Sequence, residues 1–588
     1  MSGKRLPNVP FLATLVVLVL AGGGALAITA GAADPNEGTI SLGSVDTGWN
    51  GKHYAAGVTV LGDACAVPDP SDTLCDHYEL TVDVPKSHWE DNDGGVEVRI
   101  AWDSEEDDFD LAVFDAGGNL VDNAANGGTS AERVFIPEAN SEDGPYSIEV
   151  NPYTVTESGY LGGAYLETRA DVGPGGGEVP TEPLSGLSCS DGLAGPFPCD
   201  GIDLEGFLPT SAIGGGELND IWGWTDPETG NEYALIGKTT GTAFVDLTDP
   251  RAPRYLGDLP SHQSIAGQPV ETIFNVWSDI KVHDDHAFIV KEEPLHGMQV
   301  FDLTRLRGVT EERTWSEDAH YSYVLDGTAS VLEVSDRLNT LDNAHNIAIN
   351  EESGFAYAIG TSTCGGGGPH VIDIREPKNP KFAGCVSEDG YTHDTQCVNY
   401  REGDPDGDRF GGREICFSSN EDSLTIVDVT DKDAPVQLSR LEYEGSAYTH
   451  QGWLTPDRRH FLVGDELDET DNGLERTRTY IFNVERLDMP GDPVAYDGDT
   501  EAIDHNMYTK GSRVYQANYR AGLRVLDTTG VDQGTMTEVG FFDVYPEDDL
   551  PEFNGAWSNY PYFASGNVIV SGIEQGLFVL RPTAEVAG

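Results

Sequence analysis

Leu424-Thr425-Ile426-Val427-Asp428-Val429-Thr430-Asp431 is a short apolar strand that ends in a polar turn. Six other segments share its form: Phe244 to Pro250, Val300 to Thr304, Val371 to Ile374, Ile481 to Val484, Val525 to Thr528 and Leu577 to Leu580. Ahead of each stands a polar pair that opens an alternating strand. These pairs are Asn219-Asp220, Ser278-Asp279, His345-Asn346, His393-Asp394, His450-Gln451, His505-Asn506 and, less typically, Trp557-Ser558. The openings recur every 48 to 67 residues or so, near the spacing of propeller blades. Seven openings and seven later strands predict an all-β chain with a seven-bladed β-propeller over residues 186–583.

Several units carry a final strand, as at Arg254 to Gly257, Lys381 to Gly384 and Val539 to Phe542, whereas the last unit stops at Pro582 without one. The strand-like run Gly201 to Leu208 precedes the first opening and has no blade of its own. It is expected to supply the missing outer strand of the last blade, so that no sheet edge is left bare at the seam.

Residues 34–171 show period-2 patterns at Val96 to Trp102, Phe109 to Phe114 and Tyr146 to Val150, separated by turn clusters such as Asp115 to Asn119. They predict a small antiparallel β-sandwich. Residues 172–185, rich in Gly and Pro, read as a linker. Residues 1–33 join Lys4 and Arg5 to an apolar run from Phe11 to Ala33, the layout of a secretory signal or, uncleaved, of an N-terminal anchor. Both readings place the protein outside the cell or at its surface, and the uncleaved segment would be its only membrane contact.

Two resemblances follow. Trp102, Asp108 to Asp115, Gly144-Pro145-Tyr146 and Tyr160 to Tyr165 resemble the bacterial pre-peptidase C-terminal domain, which implies an accessory module without chemistry of its own. Asn219 to Pro227, His296 to Leu303, Tyr391 to Asp394, Tyr448 to Trp453 and Gln516 to Asp527 together resemble the choice-of-anchor B family, whose LVIVD-type repeat appears as Leu424 to Asp428. This resemblance runs from about Cys189 to Pro582 and implies a secreted or surface repeat protein of undefined activity. The C-terminal sorting signal usual in that family is missing from Arg581 to Gly588.

Against 34 basic residues stand 101 acidic ones, a net charge of −67 spread along the chain, which argues against nucleic acid or anionic lipid as partner. The eight cysteines fall into near-neighbour pairs, Cys65 with Cys75, Cys189 with Cys199, Cys364 with Cys385 and Cys397 with Cys416. In an exported chain an even count favours disulfides. Proximity suggests this pairing, although the last two pairs can also exchange partners.

Four consecutive openings begin with histidine, so His345, His393, His450 and His505 are expected on adjacent inner strands near the axis. There they would bind a transition metal or ligand, with Asp220, Asp279 or Asp394 adding oxygen, or else lock each blade to the next through backbone hydrogen bonds. Asp404, Asp406 and Asp408, and Asp465 with Asp468 in the run Asp465 to Asp471, place hard oxygen donors together as calcium loops do. Trp222, Trp224, Trp453 and Trp557 line a carbohydrate or peptide groove, or pack between blades. No G-x-S-x-G, H-E-x-x-H or P-loop occurs. The expected function is therefore a non-catalytic extracellular scaffold or ligand-binding protein, with an extracellular protein or carbohydrate as partner. The alternative is a metal-dependent extracellular lyase or hydrolase using the axial histidines.

Overall fold

A computed structural model describes residues 33–588 apart from 34, 43, 55–57, 60–73, 91, 103–106, 125–130, 138, 156–157, 171–178, 263–275, 294–295 and 323–340. The signal or anchor segment and Cys65 therefore lie outside the described residues. The chain is all-β and divides into two compact units, at Gly173 and Pro174.

Among the described residues, the first unit has two sheets. One contains Glu37–Ser41, Asp76–Asp83, Tyr146–Val155, Asp108–Phe114 and Leu120–Ala124 in that order, with Val58–Thr59 beside Tyr146–Val155. The other runs Asp46–Asn50, Tyr160–Ala170, Asn92–Trp102, Ala131–Pro137. Alternation buries one face of each strand, and Leu80, Val82, Leu111, Val113 and Ile148 from the first share one core with Val96, Val98, Ile100, Val134 and Ile136 from the second. The expected all-antiparallel pairing needs one correction: Glu37–Ser41 runs parallel to Glu79–Asp83. A parallel neighbour is possible there because a long connection, not a hairpin, joins the two strands.

The second unit contains seven sheets among the described residues, each with its own strands hydrogen-bonded in chain order. The seven polar openings fall at their first strands, Leu218–Thr225, Ser278–His283, Asn346–Asn350, Asp394–Asn399, Thr449–Leu454, Asn506–Lys510 and Ala556–Tyr560. Third strands such as Gly241–Asp246 and Ser423–Asp428 are buried on both faces, which is why they read as near-continuous apolar runs. Each first strand packs beside the first strand of the next sheet, and that of the last packs beside that of the first.

Between third and fourth strands the register slips at equivalent places in four sheets, at Phe244/Val245, Val371/Ile372, Ile426/Val427 and Val525/Leu526. Such a bulge bends the outer strand and raises its twist. In the first sheet it places Gly257 at φ 103°, where a Cβ would stand 1.9 Å from the carbonyl oxygen of Arg313 in the next sheet's connection. Only glycine fits that backbone and that approach.

The last sheet is completed from the front of the unit: Ile202–Pro209 pairs antiparallel with Gly576–Pro582. Three pairings go beyond the sequence reading. Leu184–Leu187, partly inside the expected linker, adds a further strand to Ile202–Pro209. Phe197–Asp200 joins Thr537–Phe542 of the sixth sheet, and Leu193–Ala194 pairs with it in turn. Cys189 is bonded to Cys199 within this segment, Cys364 to Cys385 in the third sheet, and Cys397 to Cys416 across adjacent strands of the fourth. The exchanged pairing of the middle cysteines is not formed. The three disulfides between described residues suit an oxidising, extracellular compartment. No helix among the described residues is long and apolar enough to cross a membrane.

Candidate functional site

The four opening histidines stand in a row. Ring centres are 4.4 Å apart from His345 to His393, 3.9 Å from His393 to His450 and 4.5 Å from His450 to His505. Adjacent first strands bring them together, because each follows the same position in the repeat. His393, His450 and His505 are buried, and His345 is half-buried.

Locking between sheets and presentation of a ligand atom prove compatible in these rings. His393 Nδ1 donates to the carbonyl of His450 (2.9 Å), and His505 Nδ1 donates to the carbonyl of Trp557 (2.5 Å). His345 Nδ1 is bound to Glu292 Oε1 (2.7 Å). A carbonyl only accepts, so the proton sits on Nδ1 and the Nε2 lone pair is left available. His450 differs, since its Nδ1 has no hydrogen-bond partner. The amides that follow do much of the remaining locking: Asn346 Nδ2 reaches the carbonyl of His393 (2.9 Å), and the Gln451 side chain bonds both N–H and C=O of Met507 (3.0 and 3.1 Å).

Glu466 completes the group. Its Oε2 lies 3.3 Å from His450 Nε2 and its Oε1 3.6 Å from His505 Nε2, while Tyr519 Oη donates to Oε1 (2.7 Å). Burial pushes the Glu466 carboxyl up to about 7 and the His505 imidazole down to about 3, and it holds His393 and His450 well below the usual imidazole range. Two neutral imidazoles and one carboxylate whose ligand atoms lie within 4.8 Å of one another form a donor set for a divalent transition metal. His345 and His393 stand alongside this group, outside it. Sequence reasoning missed Glu466 because it enters from the loop after a second strand, His460–Asp465, and not from an opening.

The expected axial carboxylates are spent elsewhere. Lys281 Nζ bonds Asp279 and lies 3.5 Å from Asp220, over the Trp222 ring at 4.5 Å. Asp279 Oδ2 also accepts from the backbone N–H of Ile347 in the next sheet (2.8 Å). Burial opposes charge on both acids, yet Lys281 holds Asp279 below the usual carboxylate range, while Asp220 is driven well above it. Asp394, pushed by burial up to about 7, lines a cavity of about 290 Å³ with Lys281, Trp222, Trp453, Tyr508 and Tyr560. Trp222 and Trp453 thus face a cavity. Trp224 instead packs, its Nε1 donating to Asp285 (3.0 Å), and Trp557 sits edge-on to His505.

The two acidic loops separate. Asp404 is held by Arg458 (2.6 Å), Asp406 by Arg409 (3.2 Å), and Asp408 is exposed, so the expected trio does not converge on one point. Arginines that follow later in the chain supply the cations that a calcium loop would need. Asp465 accepts from the N–H groups of Ala447 and Tyr448 and from Tyr443 Oη, which makes it a structural acceptor. Asp468 instead converges with Glu469 and Asp504. A further group, His262, Glu317 and His320, was not anticipated from the sequence.

No protein-family model and no curated protein matches the chain. Among solved structures, a functionally unknown protein from Desulfotomaculum acetoxidans is similar at TM-score 0.36 and 11% identity, over 57% of this chain and 88% of that one. A protein from Lactobacillus plantarum is similar at TM-score 0.35 and 13% identity, over 60% and 88%. The computationally designed Ika8 protein is similar at TM-score 0.37 and 7% identity, over 69% and 98%.

Proposed function

We propose that this is an exported binding protein, similar to the choice-of-anchor B family, whose second unit is a seven-bladed β-propeller with a transition-metal site of His450, Glu466 and His505 near its axis. The first unit is proposed as a β-sandwich accessory module. The cyclic packing of first strands and the strand Ile202–Pro209 closing the last sheet support the ring. The observation that carries the function is the placement of His450 Nε2 and His505 Nε2 against the two oxygens of one half-buried carboxylate. The proton on His505 Nδ1 is fixed by a carbonyl, as in metal-binding imidazoles whose second nitrogen is held. The aromatic cavity beside Asp394 is the place for a carbohydrate or peptide group.

Metal analysis of the purified full chain, with zinc, copper, nickel and manganese offered separately, tests this. One equivalent of a transition metal is expected in the parent and in His345→Ala, and less than a tenth of that in His450→Ala and Glu466→Gln. Equal metal in parent and Glu466→Gln would sink the proposal. A metal-dependent lyase or hydrolase is the second reading, favoured by Asp394 lining the cavity directly after His393 in the chain. It requires turnover of an extracellular substrate that falls together with metal content in His450→Ala.

A further inference from the structure

Next to His505 in the chain, Asp504 meets two further buried carboxylates, Asp468 and Glu469. Asp468 and Glu469 lie in the turn Asp468–Asp471 after the second strand of the fifth sheet, and Asp504 immediately precedes His505 at the opening of the sixth. All three are at least 96% buried, at 0%, 4% and 1% exposure, and one oxygen from each lies within 4.8 Å of the others. Both oxygens of Glu469, both of Asp504 and Oδ1 of Asp468 have no hydrogen-bond partner. The remaining oxygen of Asp468 accepts from Tyr480 Oη (3.2 Å). Arg478 is taken by Asp497 (2.7 Å). Gly464 leaves the room that Asp504 occupies, since a Cβ there would stand 2.4 Å from Asp504 Oδ2.

Buried carboxylates without donors must take up either protons or a cation. Asp504 belongs to a different sheet from Asp468 and Glu469, so the convergence is made by the fold and not by an acidic stretch of chain. We propose that Asp468, Glu469 and Asp504 bind a calcium ion, a site separate from His450, Glu466 and His505. All the donors are hard oxygens, which select calcium or magnesium over transition metals. A spread of up to 4.8 Å between donors fits the oxygen–oxygen separations around calcium, whose ligands stand at about 2.3–2.6 Å. A bound ion would fasten the fifth sheet to the sixth next to His505.

Terbium stands in for calcium, and Tyr480, bonded to Asp468, is the expected sensitiser. The full chain, stripped with chelator and held in high potassium chloride to suppress loose binding, should show tyrosine-excited terbium emission that calcium displaces. Glu469→Gln and Asp504→Asn should weaken terbium and calcium binding at least tenfold, and Asp408→Asn, at an exposed carboxylate of another loop, should leave both unchanged. Tyr480→Phe should dim the emission while the stoichiometry holds. The unmodified chain should also melt at higher temperature with calcium than with chelator, a readout that survives should a carboxylate variant fail to fold. The proposal is overturned if Glu469→Gln or Asp504→Asn binds calcium as the parent does, or if the parent binds no calcium and its melting ignores the ion.

Discussion

Asp226 shows how a single buried carboxylate fastens one sheet to the next. It is fully buried and accepts a fork from Arg307, at 2.9 Å from Nε and 2.7 Å from Nη2, together with Thr229 Oγ1 and the N–H of Glu228. Burial opposes its charge, but the Arg307 fork and the other donors outweigh it and hold the carboxyl at about 2. The folded value lies below the unfolded one, so the stabilisation is complete above about pH 4 and is lost as pH falls toward 2. Asp226→Asn should therefore lower stability by about 2 kcal/mol at pH 7, with the gap from the parent closing between about pH 4 and pH 2 in urea titrations. A gap independent of pH would refute this account. The histidine row was legible from the sequence because it follows the repeat. Glu466 and Asp504 were not, because a carboxylate in an acidic chain carries no signal of its own until its neighbours are known.

Strand pairing at the seam makes the front of the second unit part of its end. Phe207, on Ile202–Pro209, is fully buried with its ring 4.8 Å from Phe578 and 5.8 Å from Phe197. These rings join the last sheet to the segment Phe197–Asp200 on the sixth, and the Cys189–Cys199 bond ties that segment together. Phe207→Ala should cost about 3–5 kcal/mol by leaving a cavity and should expose the edge of Gly576–Pro582. Its check is limited proteolysis beside thermal melting: earlier cutting between Leu184 and Pro209 and a lower midpoint are expected. Unchanged cutting would mean that the seam does not limit opening. The closing strand was readable because the last repeat lacked a partner. Phe197–Asp200 was hidden, since four residues containing a proline and a cysteine do not read as a strand.

Across the chain, 101 acidic residues meet 34 basic ones. The described arginines and lysines are largely committed to carboxylates, as at Arg413 with Asp428, Arg440 with Asp389 and Asp422, and Arg520 with Asp548. Most of the acidic surface therefore repels itself, and that repulsion reaches over a Debye length of about 10 Å at 0.1 M salt. Raising potassium chloride from about 0.05 M to about 1 M should lift the melting midpoint by several degrees, while sucrose of equal osmolality should lift it less. A midpoint that stays flat or falls in salt would show that self-repulsion does not limit the fold.

The sheets were readable from the order of residues because a strand and its turn are written locally, in alternation and in the polar residues that stop it, and seven copies of that pattern reinforce one another. The parallel pair in the first unit, the added strands at the seam and the gathering of His450, Glu466 and His505, or of Asp468, Glu469 and Asp504, involve residues far apart along the chain. Packing of one sheet against its neighbour sets those distances, and with them which carboxylates meet an arginine and which do not.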